Sequence, residues 1–292
     1  MTVTRRSALK VIAGAGAACA ATALPAPAEG RERRKPGPDD VGLLYDATLC
    51  VGCRACVRKC KEANGLPPDR RELQGAVYDA PDDLNAQTKN IIRLHVEGNT
   101  TSYVKGGCMH CTDPACVSVC MVGALHKSKG GIVAYDKDLC VGCRYCQLAC
   151  PFNVPKFEWA KAFPLIVKCE LCRDRKEGPA CAEVCPRGAI EYGKVTALRE
   201  EARRRLAAEP KKYNGKVYGE SEVGGTHVMY LAAVPFEKLG LPQLPSEPVP
   251  ELSETISHGI YKGFIAPVVL WSALAVTIWR NRKKGAEGEE KP

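Results

Sequence analysis

Cys140-Val141-Gly142-Cys143-Arg144-Tyr145-Cys146-Gln147-Leu148-Ala149-Cys150-Pro151 is the stretch on which the reading of this chain turns. Its cysteines follow C-x2-C-x2-C-x3-C with a proline behind the last, the ligand run of iron–sulfur cubanes. The same spacing recurs at Cys50, Cys53, Cys56 and Cys60. Two further quartets stretch one inner gap: Cys108, Cys111, Cys116, Cys120, and Cys169, Cys172, Cys181, Cys185. Each iron of a cube needs one thiolate from outside. Three closely spaced cysteines on a curled loop hold one face, and the fourth comes from a distant segment. Sixteen of the seventeen cysteines lie in these quartets, enough for four [4Fe–4S] clusters and a chain that moves electrons.

Disulfides fit poorly, because cysteines spaced in threes at two-residue gaps cannot easily meet bridge geometry. Structural zinc uses two separated pairs rather than compact runs of three plus one. No C-x-x-C is followed by His, so attached haem is not indicated. Cys19 stands apart in an apolar run and reads as a small filler rather than a lipid anchor, since Gly16 occupies the place of a large aliphatic.

The flanks say how the quartets pair. After Cys120, residues 123–125 lead to a turn at Lys129-Gly130-Gly131 and a strand at 132–136 that runs into Cys140. That hairpin joins two ligand loops, the internal arrangement of a two-cluster ferredoxin. Residues 151–168 carry three prolines and read as an irregular connection. Gly188–Tyr192 instead supplies the outgoing half of a hairpin and Gly42–Asp46 the incoming half. The outer quartets therefore form one module wrapped around another built from the inner two. In two-cluster ferredoxins the fourth Cys of each run ligates the other cluster. Applied here, the sets are Cys50, Cys53, Cys56 with Cys185 (cluster 1); Cys60 with Cys169, Cys172, Cys181 (cluster 2); Cys108, Cys111, Cys116 with Cys150 (cluster 3); and Cys120 with Cys140, Cys143, Cys146 (cluster 4). The expected fold class is α+β: two nested ferredoxin-like modules with an inserted arm, plus a C-terminal single transmembrane helix.

The boundaries follow. Residues 1–28 read as a twin-arginine export signal: Arg5-Arg6, an apolar stretch from Val11 to Leu24, then Ala26-Pro27-Ala28. The four-cluster domain covers 41–195, with the inner module at 106–155, the outer at 41–60 plus 165–195, and an insertion at 61–105. Within that insertion a hairpin pattern surrounds Gly98-Asn99, read as a partner-contacting arm or a surface excursion. Residues 196–258 read as a helix, ending before Pro210, and an extended Gly- and Pro-rich segment. An anchor is expected at 260–280, because residues 263–279 are uncharged and mostly apolar. Arg280, Arg282, Lys283 and Lys284 mark the tail at 281–292 as cytoplasmic. Signal and anchor together place the body on the periplasmic side of a bacterial inner membrane.

The formal charge of +9 invites a nucleic-acid reading that fails. Part of it leaves with the signal, and each cluster with its thiolates adds roughly −2. Arg54, Arg58, Lys59, Lys61, Arg144, Lys168, Arg173 and Arg175 lie among the quartets; each taken singly reads as a solvated cation. His110, between two ligands, reads as packed or solvated rather than iron-binding. There is no nucleophile–base pair, phosphate loop or dinucleotide fingerprint, so no catalytic residue is named.

Five stretches together carry a resemblance: Tyr45–Cys53, Gly107–Cys116, Cys140–Cys146, Lys168–Cys172 and Gly224-Gly225-Thr226-His227-Val228-Met229-Tyr230. Through them the whole chain resembles the four-cluster ferredoxin-like electron-transfer subunits of the dimethyl sulfoxide reductase and formate dehydrogenase beta-subunit family. In that family the nested ligation is the known pattern. Met121 departs from it where proline usually stands. The twin-arginine signal, the C-terminal anchor and Val234–Leu239 look most like the Hyb-type (hydrogenase-2) iron–sulfur subunits. The resemblance implies a non-catalytic relay between a [NiFe] hydrogenase small subunit and an integral membrane subunit that reduces quinone. The alternative partner is a molybdopterin catalytic subunit, as for a formate dehydrogenase beta subunit.

Overall fold

The strand β1 (Val41–Asp46) organises the body. Successive side chains of a strand point to opposite faces, and here both faces are covered. Leu43 and Tyr45 enter one apolar cluster with Ile92, Val104, Ile190, Val228 and Tyr230. Leu44 enters another with Leu198, Ala202, Met229 and Leu231. The computed structural model describes residues 34–68, 83–250, 254 and 270–280.

Further elements follow in order: α1 (Ala55–Ala63), β2 (Asn90–Glu97), β3 (Thr100–Gly107), α2 (Ala115–Ser118), β4 (Leu125–Lys127), β5 (Val133–Tyr135), α3 (Tyr145–Ala149), β6 (Lys156–Phe157), β7 (Ile166–Val167), α4 (Ala180–Glu183), β8 (Ile190–Lys194), α5 (Val195–Ala208) and β9 (Val228–Leu231). β8, β1 and β9 form one sheet in that order. β8 pairs antiparallel with β1, Tyr45 opposite Ile190 and Val41 opposite Lys194. The two halves on either side of the outer quartets thus meet as one ladder. The inner quartets are joined by the β4–β5 hairpin, Leu125 opposite Tyr135.

Three readings are corrected. The connection at 151–168 is not wholly irregular, because β6 and β7 make a minimal antiparallel pair there. Phe157 and Ile166 of that pair pack on Leu125 and Val133 of the inner hairpin. The segment after Pro210 is not merely extended: β9 lies parallel to β1, Leu43 opposite Val228. Tyr213 also donates from its hydroxyl to the buried carboxylate of Asp46 at 2.8 Å. The hairpin of the insertion, β2–β3, is no simple excursion either. Its base is core, with Ile91, Ile92 and Val104 at 0, 2 and 3 % exposure, while Leu94 and Val96 nearer its tip stand free.

α5 covers the second face of β1 through Leu198 and Ala202, four residues apart on one side of the helix. One turn on, Arg205 gathers Glu191, Glu201 and Asp46. The body from Arg33 to Pro250 is one compact unit, and residues 270–280 belong to another. The signal at 1–28 and Cys19 lie outside the described residues, as do 69–82 of the insertion and the start of the expected anchor. Residues 270–280 are helical and exposed throughout. Among the described residues no helix is long and apolar enough to cross a membrane.

Candidate iron–sulfur sites

Four loops carry the quartets, and all bend through the left-handed region that favours glycine. Gly52 and Gly142 have φ of 70° and 68°, and Arg54 and Arg144 follow at 57° and 64°. In the other two quartets the same role falls on His110 at 47°, and on Leu171 and Cys172 at 51° and 49°. Such bends turn backbone N–H groups inward and make concavities suited to anions. The N–H of Gly52 points at Cys50 Sγ at 3.5 Å, that of Leu125 at Cys120 Sγ at 3.4 Å, that of Leu171 at Cys169 Sγ at 3.4 Å and that of Ala189 at Cys185 Sγ at 3.2 Å.

The fold brings fourth cysteines to distant triplets. Cys50, Cys53, Cys56 and Cys185 line one cavity, with Tyr45, Ile92 and Ile190 as its apolar wall. Cys120, Cys140, Cys143 and Cys146 line another, walled by Leu125, Tyr135 and Ile166. Electrostatics reports two further gatherings. The Cys60 thiol is pushed up to about 12 by burial and then by Cys169, Cys181 and Cys172. The Cys111 thiol is pushed well up by burial and then by Cys108, Cys150 and Cys116. The two gatherings approach one another, since burial raises Cys108 to about 11 and Cys169 adds to it.

All sixteen quartet cysteines are free thiols in the structure, and only Cys53 and Cys143 are exposed. Buried thiols crowded in fours resist ionising alone, because each thiolate would sit in low dielectric beside others. Iron removes that obstacle, since a coordinating thiol is deprotonated outright. A single metal ion fits less well: among the described residues no three Cys, His, Asp or Glu side chains converge on one point. A cube, unlike a single ion, spreads its four ligands around itself. The donor set, the amides aimed at sulfur and the two cavities therefore suit [4Fe–4S] clusters.

The surroundings correct the reading of the cations. Arg58 is a solvated side chain at 76 % exposure, but Lys61 and Lys168 are buried. One more buried lysine, Lys105, escaped the sequence reading, as did the half-buried Lys127. Lys105 is on β3; burial works to lower its pKa, yet Cys181, Cys56 and Cys169 outweigh that and raise it. Lys127 donates to the Cys111 carbonyl at 3.0 Å, and burial pulls it down to about 8. The sole local hint for Lys105 was its place three residues before Cys108. Arg144 stacks over Phe157 and Trp159, 5.3 and 4.8 Å from their ring centres. His110 is packed rather than solvated, and its Nδ1 accepts from the Val133 N–H at 3.1 Å. Its pKa falls well below the usual range through burial and then Lys168, Lys127 and His227.

The 4Fe-4S dicluster domain family matches residues 99–195. The hydrogenase-2 operon protein HybA of Escherichia coli O157:H7 is 42% identical over 290 residues, covering 86% of this chain and 88% of its own. The formate dehydrogenase-O iron-sulfur subunit of Escherichia coli K12 is 38% identical, covering 78% of each chain. A formate dehydrogenase iron-sulfur subunit of Haemophilus influenzae is 35% identical, over 81% of this chain and 78% of its own. The chain belongs to the family of iron–sulfur electron-transfer subunits that includes HybA and the iron–sulfur subunits of formate dehydrogenases.

Proposed function

We propose that this chain is the electron relay of a membrane-bound respiratory complex on the periplasmic side, with four [4Fe–4S] clusters and no catalytic group of its own. On this reading Cys50, Cys53, Cys56 and Cys185 hold the first cluster, and Cys60, Cys169, Cys172 and Cys181 the second. Cys108, Cys111, Cys116 and Cys150 hold the third, and Cys120, Cys140, Cys143 and Cys146 the fourth. Each bound cluster supplies a one-electron redox centre.

The serial order of these sets carries the proposal. Helix α1 holds Cys56 and Cys60 one turn apart, so a single rigid element serves two neighbouring sets. Cys108 and Cys169 feel one another across the modules. The two end sets are the ones with an exposed thiol, Cys53 at one and Cys143 at the other. A relay needs access at its ends and insulation between them, and this distribution supplies both.

The partners on this reading are a [NiFe] hydrogenase small subunit and an integral membrane subunit that reduces quinone. The similarity to HybA favours the first, together with the Arg5-Arg6 signal. Met121, Leu139, Val141, Leu148 and Trp159, exposed around the Cys143 end, favour an apolar docking partner there. Leu270, Trp271, Leu274 and Ile278, exposed along helix 270–280, suit a lipid environment. A second reading, the iron–sulfur subunit of a formate dehydrogenase, rests on the 38% relative. Metal and cofactor analysis of the complex isolated from native membranes separates the two. Stoichiometric nickel supports the hydrogenase, and molybdopterin in its place overturns it.

A further inference from the structure

Lys168 stands where the two modules meet. It directly precedes Cys169 of the outer quartet and is 3 % exposed. Its ammonium donates to the Cys169 carbonyl at 3.0 Å and to the carbonyl of Val133, on the inner hairpin. The N–H of Val133 donates to His110 Nδ1, so this residue is held at both its N–H and its C=O. A lysine with five freely rotating bonds in water is here fixed between carbonyls of different modules. Burial of such a cation is costly unless opposite charge lies close.

We propose that Lys168 sets the reduction potential of the centre held by Cys108, Cys111, Cys116 and Cys150, as a fixed buried positive charge that favours its reduced state. The inference rests on the ligand sets proposed above. Reduction adds one electron, and so one negative charge, without making or breaking a bond. A cation held beside that site in low dielectric stabilises the extra charge.

The geometry agrees. Val133, held by Lys168 at its carbonyl, is bonded at its N–H to His110, which lies between Cys108 and Cys111 of that set. Lys127 donates to the Cys111 carbonyl, but it is only half-buried where Lys168 is enclosed. A fixed charge at this junction biases an electron to cross from one module to the other.

The test is a redox titration of the full-length, cluster-loaded protein followed by electron paramagnetic resonance. Wild type is measured first; fewer than four reducible centres would defeat the ligand sets rather than this inference. The third centre is identified as the one lost in Cys111→Ser. Lys168→Gln, one bond shorter, which keeps an N–H donor but drops the charge, is expected to disfavour its reduction at least tenfold, a negative shift of 59 mV for one electron. Lys168→Arg is expected to hold the wild-type value. A centre missing in the Gln variant but present at the wild-type potential in the Arg variant also supports the charge requirement. No shift in Lys168→Gln, equal shifts in both variants, or a larger shift in the centre lost in Cys172→Ser would each overturn the assignment. So would loss of the centre in both variants, which would make Lys168 a structural strap alone.

Discussion

Arg54 and Arg144 occupy the same left-handed turn in two different modules, φ 57° and 64°, each directly after an exposed thiol, Cys53 or Cys143. The glycines two residues ahead, Gly52 and Gly142, complete the turn. A Cβ on Gly52 would lie 2.2 Å from the Tyr103 ring, and one on Gly142 would lie 2.8 Å from the Pro164 carbonyl oxygen. Left-handed backbone alone costs a non-glycine residue about 1–2 kcal/mol, and these overlaps add to it. Gly52→Ala and Gly142→Ala are each expected to lose one end centre selectively. Iron content should drop by about four per protein, one cubane, while the resonance signals of the other three remain.

The ligand sets make a sharper prediction. Fully loaded protein should hold about sixteen irons, four in each of four cubanes. Cys185→Ser should damage the same centre as Cys50→Ser, and a different one from Cys169→Ser, although Cys185 and Cys169 share a quartet. Resonance spectra in which Cys185→Ser and Cys169→Ser remove a common centre would refute the crossed arrangement.

The hairpin of the insertion divides into core and tip. Ile91→Ala should cost about 2–5 kcal/mol, the usual penalty for truncating a buried aliphatic, because Ile91 is fully buried with Leu84 and Val154. Leu94→Ala, at a position 55 % exposed, should stay within about 0.5 kcal/mol. Denaturant midpoints of the loaded protein check both. Equal losses would mean that the whole hairpin is core.

The Arg205 cluster gives the body an acid-sensitive edge. Hydrogen bonds from Arg204 and then Arg205 hold Glu201 down at about 2. A carboxyl whose folded pKa is depressed contributes stability above its unfolded value near 4.5, and loses it as pH falls toward 2. The group is near the surface, so the contribution is about 1 kcal/mol or less. Glu201→Gln should therefore lower the thermal midpoint at neutral pH and make progressively less difference below pH 4.5. A gap that widens on acidification would contradict this.

The proposed signal and anchor are tested by fractionation. Ending the chain before Lys262 should release a cluster-loaded body from membranes and weaken hydrogen-dependent quinone reduction, because the tether raises the local concentration of partners. Replacing Arg5 and Arg6 should strand the loaded protein in the cytoplasm. Truncated protein that stays membrane-bound with full quinone activity would assign retention to docking contacts instead.

The quartets were legible because cluster ligation is written in short spacings, and the pairing of β1 with β8 because each flanks its quartet at the same distance. β9 was not. Val228–Leu231 is buried on both faces and so shows no alternation, and it lies among Gly- and Pro-rich sequence that reads as linker. Lys168 was misjudged, and Lys105 and Lys127 were passed over, for a related reason. Nothing local distinguishes a lysine on the surface from one enclosed by sulfur, because that enclosure is made by residues far away in the chain. The β6–β7 pair, with two residues in each strand, is too short to leave any pattern.

β1 takes both of its neighbours from far downstream, β8 at Ile190–Lys194 and β9 at Val228–Leu231. The β4–β5 hairpin is complete by Tyr135 and the inner loops by Cys150. A growing chain thus emerges from the ribosome with its inner loops finished while its first strand is still unpaired. Pairings of such long sequence separation form late and slowly. On the proposed ligand sets the inner sites have all their cysteines by Cys150, whereas the outer sets wait for Cys185 and their sheet for Val228–Leu231.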